Sequence, residues 1–389
     1  MSSGLQARLD AVSRTDADVV VRIVEMILAE ADRVGASDVH VQPMANQLDV
    51  RFRIDGVLGP AAVLPRELAP NVIARLKVMA ELLTYRTDIP QEGSIRGSAG
   101  STDRRVSSFP TVHGENAVVR IFGPSAQLLE LDRIGLPAAI LSTLELLLNQ
   151  RSGAVFLTGP SGSGKTTTIY ACLRRLLAGT VRRHIVTIED PVERIVEGIS
   201  QSQARPGTEF DFARGLRSLL RQDPEVIMVG EVRDRETAGI AIEASLTGHL
   251  LFSTLHAGSA CGVIGRLLEM GVEPYLLTGS IRGILNQRLL RRLCDSCKQN
   301  VEGVWQAIGC DYCVGTGYRG RLLVAEMLVP DAAFRQAILA KADEVELEAI
   351  AHRTGWTTIR DGANAAIAAG RTTAAEVDRL LGPRPVEKA

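Results

Sequence analysis

Gly159-Pro160-Ser161-Gly162-Ser163-Gly164-Lys165-Thr166 carries two glycines separated by four residues and followed by Lys and Thr, the spacing of a phosphate-binding loop. Before it runs the apolar stretch Ala154-Val155-Phe156-Leu157-Thr158, and after it a helical pattern from Thr167 to Leu177. Strand, glycine turn and helix are the setting this chemistry needs. Backbone N–H groups turn inward around an anion, and the helix N-terminus adds partial positive charge. Lys165 would reach the β- and γ-phosphates of a nucleotide and Thr166 would hold Mg²⁺. Thr167 completes the nucleotide-binding set.

Further groups have types suited to the same reaction. Val226 to Val229 is an apolar stretch leading through Gly230 to Glu231, an acid placed to meet Mg²⁺ directly or through water. Ile188-Glu189-Asp190-Pro191-Val192-Glu193 sets three acids after another apolar stretch. Glu189 would orient and deprotonate an attacking water; the same spacing also fits a solvated acidic turn. His249 and His256 flank one strand pattern. His256 near a γ-phosphate would sense hydrolysis, while a structural histidine is the other reading.

Cys294-x-x-Cys297 and Cys310-x-x-Cys313 form two pairs separated by twelve residues, 298–309. Four thiolates complete a tetrahedral Zn²⁺ site; two redox pairs are the alternative. Cys172 and Cys261 stand alone and read as buried, inert thiols. Arg217 and Arg221 lie four apart, on one helix face. Arg105 and Arg120 lie far upstream.

The whole chain bounds these readings. Its 389 residues suffice for two or three domains. With 44 basic and 45 acidic residues, nothing in the charge balance calls for nucleic acid or an anionic membrane. A 4% aromatic share disfavours a base-stacking platform. The sequence has no apolar run long enough to span a bilayer and no signal-peptide core near Met1, so a cytoplasmic location is expected.

The elements that must position these residues follow from periodicity. Residues 1–18 read as a flexible tail. Val19 to Val34 is an amphipathic helix, residues 38–43 and 48–56 alternate as strands, a helix follows from Ala69 to Leu82, and 104–109 and 116–122 are two more strands. Together 19–123 make a small α+β domain, with a linker over 124–136. From 137 to 389, short apolar strands at 154–158, 185–188, 226–229 and 250–253 alternate with helices. This is the pattern of a parallel sheet covered on both faces. Residues 331–389 read as an Ala-rich helical region broken at Gly355 and Gly370.

Several stretches taken together resemble one family. They are Gly159–Thr166, Thr187-Ile-Glu-Asp-Pro-Val-Glu193, Leu216 to Pro224 running on to Asp234, Thr247-Gly-His to Leu255-His-Ala257, Gln287-Arg-Leu-Leu-Arg-Arg-Leu-Cys294 and Thr316-Gly-Tyr-Arg-Gly-Arg321. The chain resembles the secretion ATPases of type II secretion and type IV pilus assembly, from about Asp38 to Arg321. The resemblance implies a RecA-like ATPase domain preceded by a PAS-like domain, working as a cytoplasmic homo-hexamer at the inner-membrane face. It implies platform proteins of a secretion or pilus system as partners, and ATP, Mg²⁺ and Zn²⁺ as ligands. It maps an acidic box to Glu189–Glu193, a strand-tip acid to Glu231, a histidine box to His249–His256 and phosphate-contacting arginines to Arg105, Arg120, Arg217 and Arg221. It makes 287–321 a tetracysteine zinc subdomain of the ATPase domain, a feature of assembly motors.

Measured against that pattern, the chain leaves no room for the extra N-terminal domain through which many members dock. Its cysteine insert is short, and Glu225 follows Pro224 where Asp is usual. The resemblance places Arg105 and Arg120 over the nucleotide when the first domain closes, and a short linker favours closure within one subunit. Two other functions fit less of the sequence. A slow nucleotide-binding scaffold subunit would not need Lys165, Glu189 and Glu231 together. A DNA-uptake or conjugation motor would contact nucleic acid, for which charge and aromatic content give no support.

Overall fold

The computed structural model describes residues 3–13, 18–95, 103–121, 130–205 and 207–383. The chain folds as two compact units. The first comprises Met1–Ser125 with Cys294–Lys298 and Ala307–Gly320; the second comprises Ala126–Leu293, Gln299–Gln306 and Arg321–Ala389.

The first unit contains helices α1 (Ser3–Asp10) and α2 (Val19–Val34), strands β1 (Ala36–Pro43), β2 (Gln47–Ile54) and β3 (Val57–Pro65), helix α3 (Ala69–Met79), and strands β4 (Gln91–Ile95), β5 (Arg104–Thr111) and β6 (Gly114–Ile121). The strands form one antiparallel sheet in the order β3-β2-β1-β6-β5-β4. One face is apolar. Val39, Val41, Val50, Phe52, Val106 and Val119 pack there with Ile23, Ile27, Val72 and Leu76 of α2 and α3. The other face carries Asp38, His40, Arg51, Arg53, Arg105 and Arg120, as a two-residue side-chain period requires.

Two corrections arise in this unit. The expected flexible tail contains α1, whose Leu5 and Leu9, spaced i,i+4, are buried in the core. Its Gln6 side chain also accepts from the Val63 amide (2.9 Å) and donates to the Val63 carbonyl (3.1 Å). Strands β3 and β4 were not expected. Gly59, Pro60 and Pro65 interrupt the alternation of β3, and β4 is short and holds Gly93.

The cysteine segment also moves. The resemblance groups 287–321 with the ATPase domain, yet both cysteine turns pack within the first unit, where the Gly320 amide donates to Asp55 Oδ2 at 2.8 Å. Adjacency along a chain does not fix adjacency in space.

The second unit runs α4 (Ala138–Leu148), β7 (Gly153–Thr158), α5 (Lys165–Leu177), β8 (Ile185–Glu189), β9 (Ser200–Gln203), α6 (Phe212–Leu219), β10 (Val226–Val229), α7 (Arg235–Leu246), β11 (Leu250–Leu255), α8 (Gly262–Glu269), α9 (Pro274–Ser280) and β12 (Ile281–Leu293). A two-stranded ribbon, β13 (Gln299–Val301) and β14 (Val304–Gln306), precedes β15 (Tyr318–Leu328). Helices α10 (Ala332–Leu339), α11 (Glu344–Arg353), α12 (Ile359–Ala368) and α13 (Ala374–Leu381) follow. The large sheet has the order β15-β12-β7-β11-β10-β8-β9, and its neighbours from β12 to β9 are parallel.

Alternate residues of each central strand enter separate cores. Ala154, Phe156, Ile188, Val229 and Leu251 pack with α6 to α11. Val155, Leu157, Ile185, Met228 and Phe252 pack with α4 and α5. Burying each large apolar side chain contributes about 1.5–3 kcal/mol. Of the expected linker, 124–129 lie outside the described residues; further on, Leu131–Arg133 form a 3₁₀ turn and Leu131 is buried. The four central strands stand where periodicity predicts them. Periodicity missed β9, made of polar residues, and β12, whose apolar run includes Gln287 and four arginines.

Candidate functional site

The carboxyl ends of β7, β8, β10 and β11 carry the reactive groups, because parallel strands all end at one edge of the sheet. Leaving β7, the chain turns through Gly159 at φ +140° into a loop with Gly162 and Gly164 also at positive φ, and Lys165 opens α5. A Cβ at Gly159 would fall 2.5 Å from the Gln287 carbonyl oxygen, so the loop tolerates only glycine there. Lys165 Nζ donates to the carbonyls of Gly159 (2.8 Å) and Pro160 (3.0 Å). Burial lowers its pKa and Arg288 adds to that, while Glu231 opposes both. The ammonium is thus held on the loop's own carbonyls, where an incoming phosphate can claim it.

The two acids end neighbouring strands but sit differently. Glu189, at the end of β8, is 2% exposed. Tyr170 of α5 donates to its Oε2, and Thr187 Oγ1 (2.6 Å) and Gln201 Nε2 (3.2 Å) donate to its Oε1. Glu189 is thus held firmly at the strand end. Its oxygens are engaged by three donors, and the carboxylate presents almost no surface to solvent. Burial, followed by the bond to Glu189, pushes the Tyr170 hydroxyl well above its ordinary range.

Glu231 lies past β10, beyond Gly230. Gly230 donates to the Ile188 carbonyl at 2.8 Å, and a Cβ on it would come 3.2 Å from Glu189 Cα. Glu231 keeps 14% of its side chain exposed, pairs with Arg233 at 2.6 Å and lies 3.9 Å from His256 Nε2. His256, 58% exposed, follows β11. The turn after it is tied to the phosphate-loop strand, because Thr158 Oγ1 donates to the Ala257 carbonyl and accepts from the Ala257 amide. His249, at the other end of β11, sets Nδ1 2.9 Å from the Ala244 carbonyl, a structural contact.

The arginines fall in both units. In the second, Arg217 pairs with Glu236 of α7 at 2.7 Å. The expected single helix face is cut short: α6 ends at Leu219 and Arg221 lies in a 3₁₀ turn, with Nη1 donating to the Arg217 carbonyl. In the first, Arg105 and Arg120 stand directly opposite each other on β5 and β6. Arg105 is paired with Glu92, and Arg120 with Asp38 at 3.1 Å.

The four cysteine sulfurs, also in the first unit, lie within 4.8 Å of one another. Cys294–Cys310 is 3.9 Å, and Cys297–Cys313 and Cys310–Cys313 are 3.8 Å. A tetrahedron with Zn–S arms of ~2.3 Å has edges of ~3.8 Å. Burial pushes the Cys297 thiol up to about 12. Burial also acts upward on Cys313, but amides of Cys310 and Gly317 donating to its sulfur, both at 3.2 Å, help hold it down to about 7. Such amides are partners for a metal-bound thiolate.

Sequence reading missed Arg233, Gln287 and Arg288. Gln287 is fully buried and its Nε2 donates to the Ser163 carbonyl at 2.8 Å. All three lie in stretches that carry the family resemblance, but neither the stretches nor their spacing gave any of them a role.

A parallel sheet with a phosphate loop and acids at its strand ends defines a nucleotide-hydrolysing motor of the phosphate-loop class. The family model described as "Type II/IV secretion system protein" matches residues 13–379, and the chain belongs to that family. It is 42% identical over 373 residues to the type II secretion system protein HxcR of Pseudomonas aeruginosa, covering 95% of this chain and 79% of the relative. It is 40% identical over 390 residues to the type II secretion system ATPase E of Vibrio cholerae, covering 95% and 77%. The crystal structure of the pilus retraction motor PilT with bound ADP matches with a TM-score of 0.63 and 28% identity, covering 94% of this chain and 98% of that one. The chain is a secretion ATPase, with the motor function of type II secretion and type IV pilus systems. No helix among the described residues is long and apolar enough to cross a membrane.

Proposed function

We propose that the chain is a hexameric ATPase at the cytoplasmic face of the inner membrane, driving polymerisation of pilin-like subunits for secretion or pilus assembly. The single observation that carries this is Lys165 held on the carbonyls of its own loop, at the same sheet edge as Glu189 and Glu231. Gly159 and Gly164 let the loop pack closely against Gln287 and Arg288 while keeping the positive φ that turns backbone amides inward, which suits a phosphate cradle.

Lys165 binds the β- and γ-phosphates, and loop amides hold their oxygens. Thr166 and Glu231 would hold Mg²⁺, which would supply positive charge against the phosphate oxygens. Arg233 and His256 orient Glu231, and His256 reads its change on hydrolysis. Glu189, fixed by three donors, sets the dipoles around the attacking water. The first unit acts as the PAS-like domain, and its Arg105 and Arg120 close on the nucleotide of the same subunit. Arg217 and Arg221 complete the cationic set. The four cysteines of that unit would hold a structural Zn²⁺. Inner-membrane platform proteins are the partners that anchor the motor.

Hydrolysis by purified chain is the test. Lys165→Ala should lower turnover roughly 10²–10³-fold or more, because phosphoryl transfer is positioning and electrostatics. Near-normal turnover in that variant would place the active site elsewhere.

A further inference from the structure

Arg288 follows Asn286 and Gln287 on β12, the strand beside β7 on the side away from β11. Its guanidinium lies against the phosphate loop, where a Cβ built on Gly159 would come 3.0 Å from its Nη1. Every acceptor it holds is neutral. Nη1 donates to Asn286 Oδ1 (2.5 Å) and the Gln287 carbonyl (3.1 Å), and Nη2 donates to the Gly258 carbonyl (2.8 Å). Among the described residues it forms no ion pair. Glu326, the acid whose charge reaches it, is itself fastened by Ala260, Asn286 and Ile359.

A half-buried cation with no carboxylate in direct contact is costly. Two such cations beside one loop are costlier, since each adds repulsion to the other's desolvation. Burial lowers the pKa of both Lys165 and Arg288, and Arg288 adds to the effect on Lys165. An anion entering the loop would relieve both burdens together, and a ligand with more phosphate charge would relieve them further. Arginine retains its charge in such a place and offers a fork of donors to oxygen.

We propose that Arg288 is a second phosphate-binding cation of the nucleotide site, one that makes the site prefer a nucleoside triphosphate to a monophosphate. Through Nη2 on Gly258 it also links the phosphates to the turn that carries His256. The inference rests on the phosphate loop being the nucleotide site.

The test is titration of the full-length chain with a non-hydrolysable ATP analogue and with AMP, together with melting of each variant without nucleotide. Arg288→Gln should weaken the analogue about tenfold or more and AMP by less than about twofold. Arg288→Lys, which keeps the charge, should hold most of the preference. Equal weakening of both ligands in Arg288→Gln, or a preference lost in Arg288→Lys as in Arg288→Gln, would make Arg288 a strut for the Gly258 turn and overturn the proposal. Lys165→Ala separates the two readings. If it leaves analogue binding intact, the loop is not the nucleotide site. If it abolishes binding while Arg288→Gln keeps the wild-type preference, only the Arg288 inference falls.

Discussion

Tyr170, in the helix that begins at the phosphate loop, donates its hydroxyl to Glu189 at the tip of the neighbouring β8. The helix that bears Lys165 and the strand that bears the acidic box are therefore joined by a side-chain bond. The bond gives any shift of α5 a direct route to the carboxylate.

Removing that bond tests its role. Tyr170→Phe keeps the ring and leaves Glu189 with the donors of Thr187 and Gln201. Losing a buried partner costs about 1–3 kcal/mol, so the variant should melt several degrees lower. Steady-state kinetics should show turnover down about tenfold with KM little changed, the pattern of an orienting group. A raised KM with unchanged turnover would show that the bond serves binding instead.

Metal analysis checks the cysteine site. Protein prepared under reducing conditions should contain about one Zn²⁺ per chain, and Cys297→Ser should contain almost none. Structural zinc carries folding energy. Proteolysis of the variant should therefore cut within 290–320 while nucleotide binding persists. Wild-type protein without zinc would refute the assignment.

The arginine pair of the first unit is tested by mixing. Arg105→Ala/Arg120→Ala chains and Lys165→Ala chains are combined, and hydrolysis of the mixed assemblies is measured. With closure inside one subunit, each chain is defective alone and mixing recovers nothing. An arginine finger contributes roughly 10³–10⁵ in rate, so recovery across an interface would be plain, and it would reassign both residues to the neighbouring active site.

His40 gives the first unit a pH dependence. Its Nε2 is buried without a hydrogen-bond partner. Burial lowers its pKa first, Arg53 next, and Arg51 and Arg120 add to this, while Asp38 opposes them. The folded form thus keeps His40 neutral at a pH where the unfolded chain takes a proton. Its contribution to stability is complete above the unfolded pKa of about 6.5 and is lost as pH falls through that value toward the depressed folded one. Melting of the wild-type chain should fall between pH 7 and 5 more steeply than that of His40→Gln. Parallel curves would show that His40 does not titrate with folding.

What the sequence made legible had a local cause. The phosphate loop is one continuous stretch, and β7, β8, β10 and β11 are apolar because both faces of their sheet are covered. Glu231 could be placed because it follows such a strand. Glu189 could be located but its surroundings could not, since Tyr170 and Gln201 reach it only through folding. Arg288 was hidden for the same reason: 128 positions lie between it and Gly159, and its meeting with the loop depends on β12 lying next to β7. Strand β3 escaped notice because Gly59 and Pro60 resemble a turn, which an edge strand tolerates.

The bond pair between Gln6 and Val63 bears on more than the anchoring of α1. Strand β3 is the last of its sheet, and the Val63 amide and carbonyl point away from β2 toward Gln6. A side-chain amide here occupies the two groups that Val63 would offer to a foreign strand. Unprotected edges recruit other chains into continuous sheets. Helix α1 therefore covers this point of the edge, and a chain trimmed to begin at residue 11 should leave the Val63 amide and carbonyl open to solvent or to a neighbouring strand.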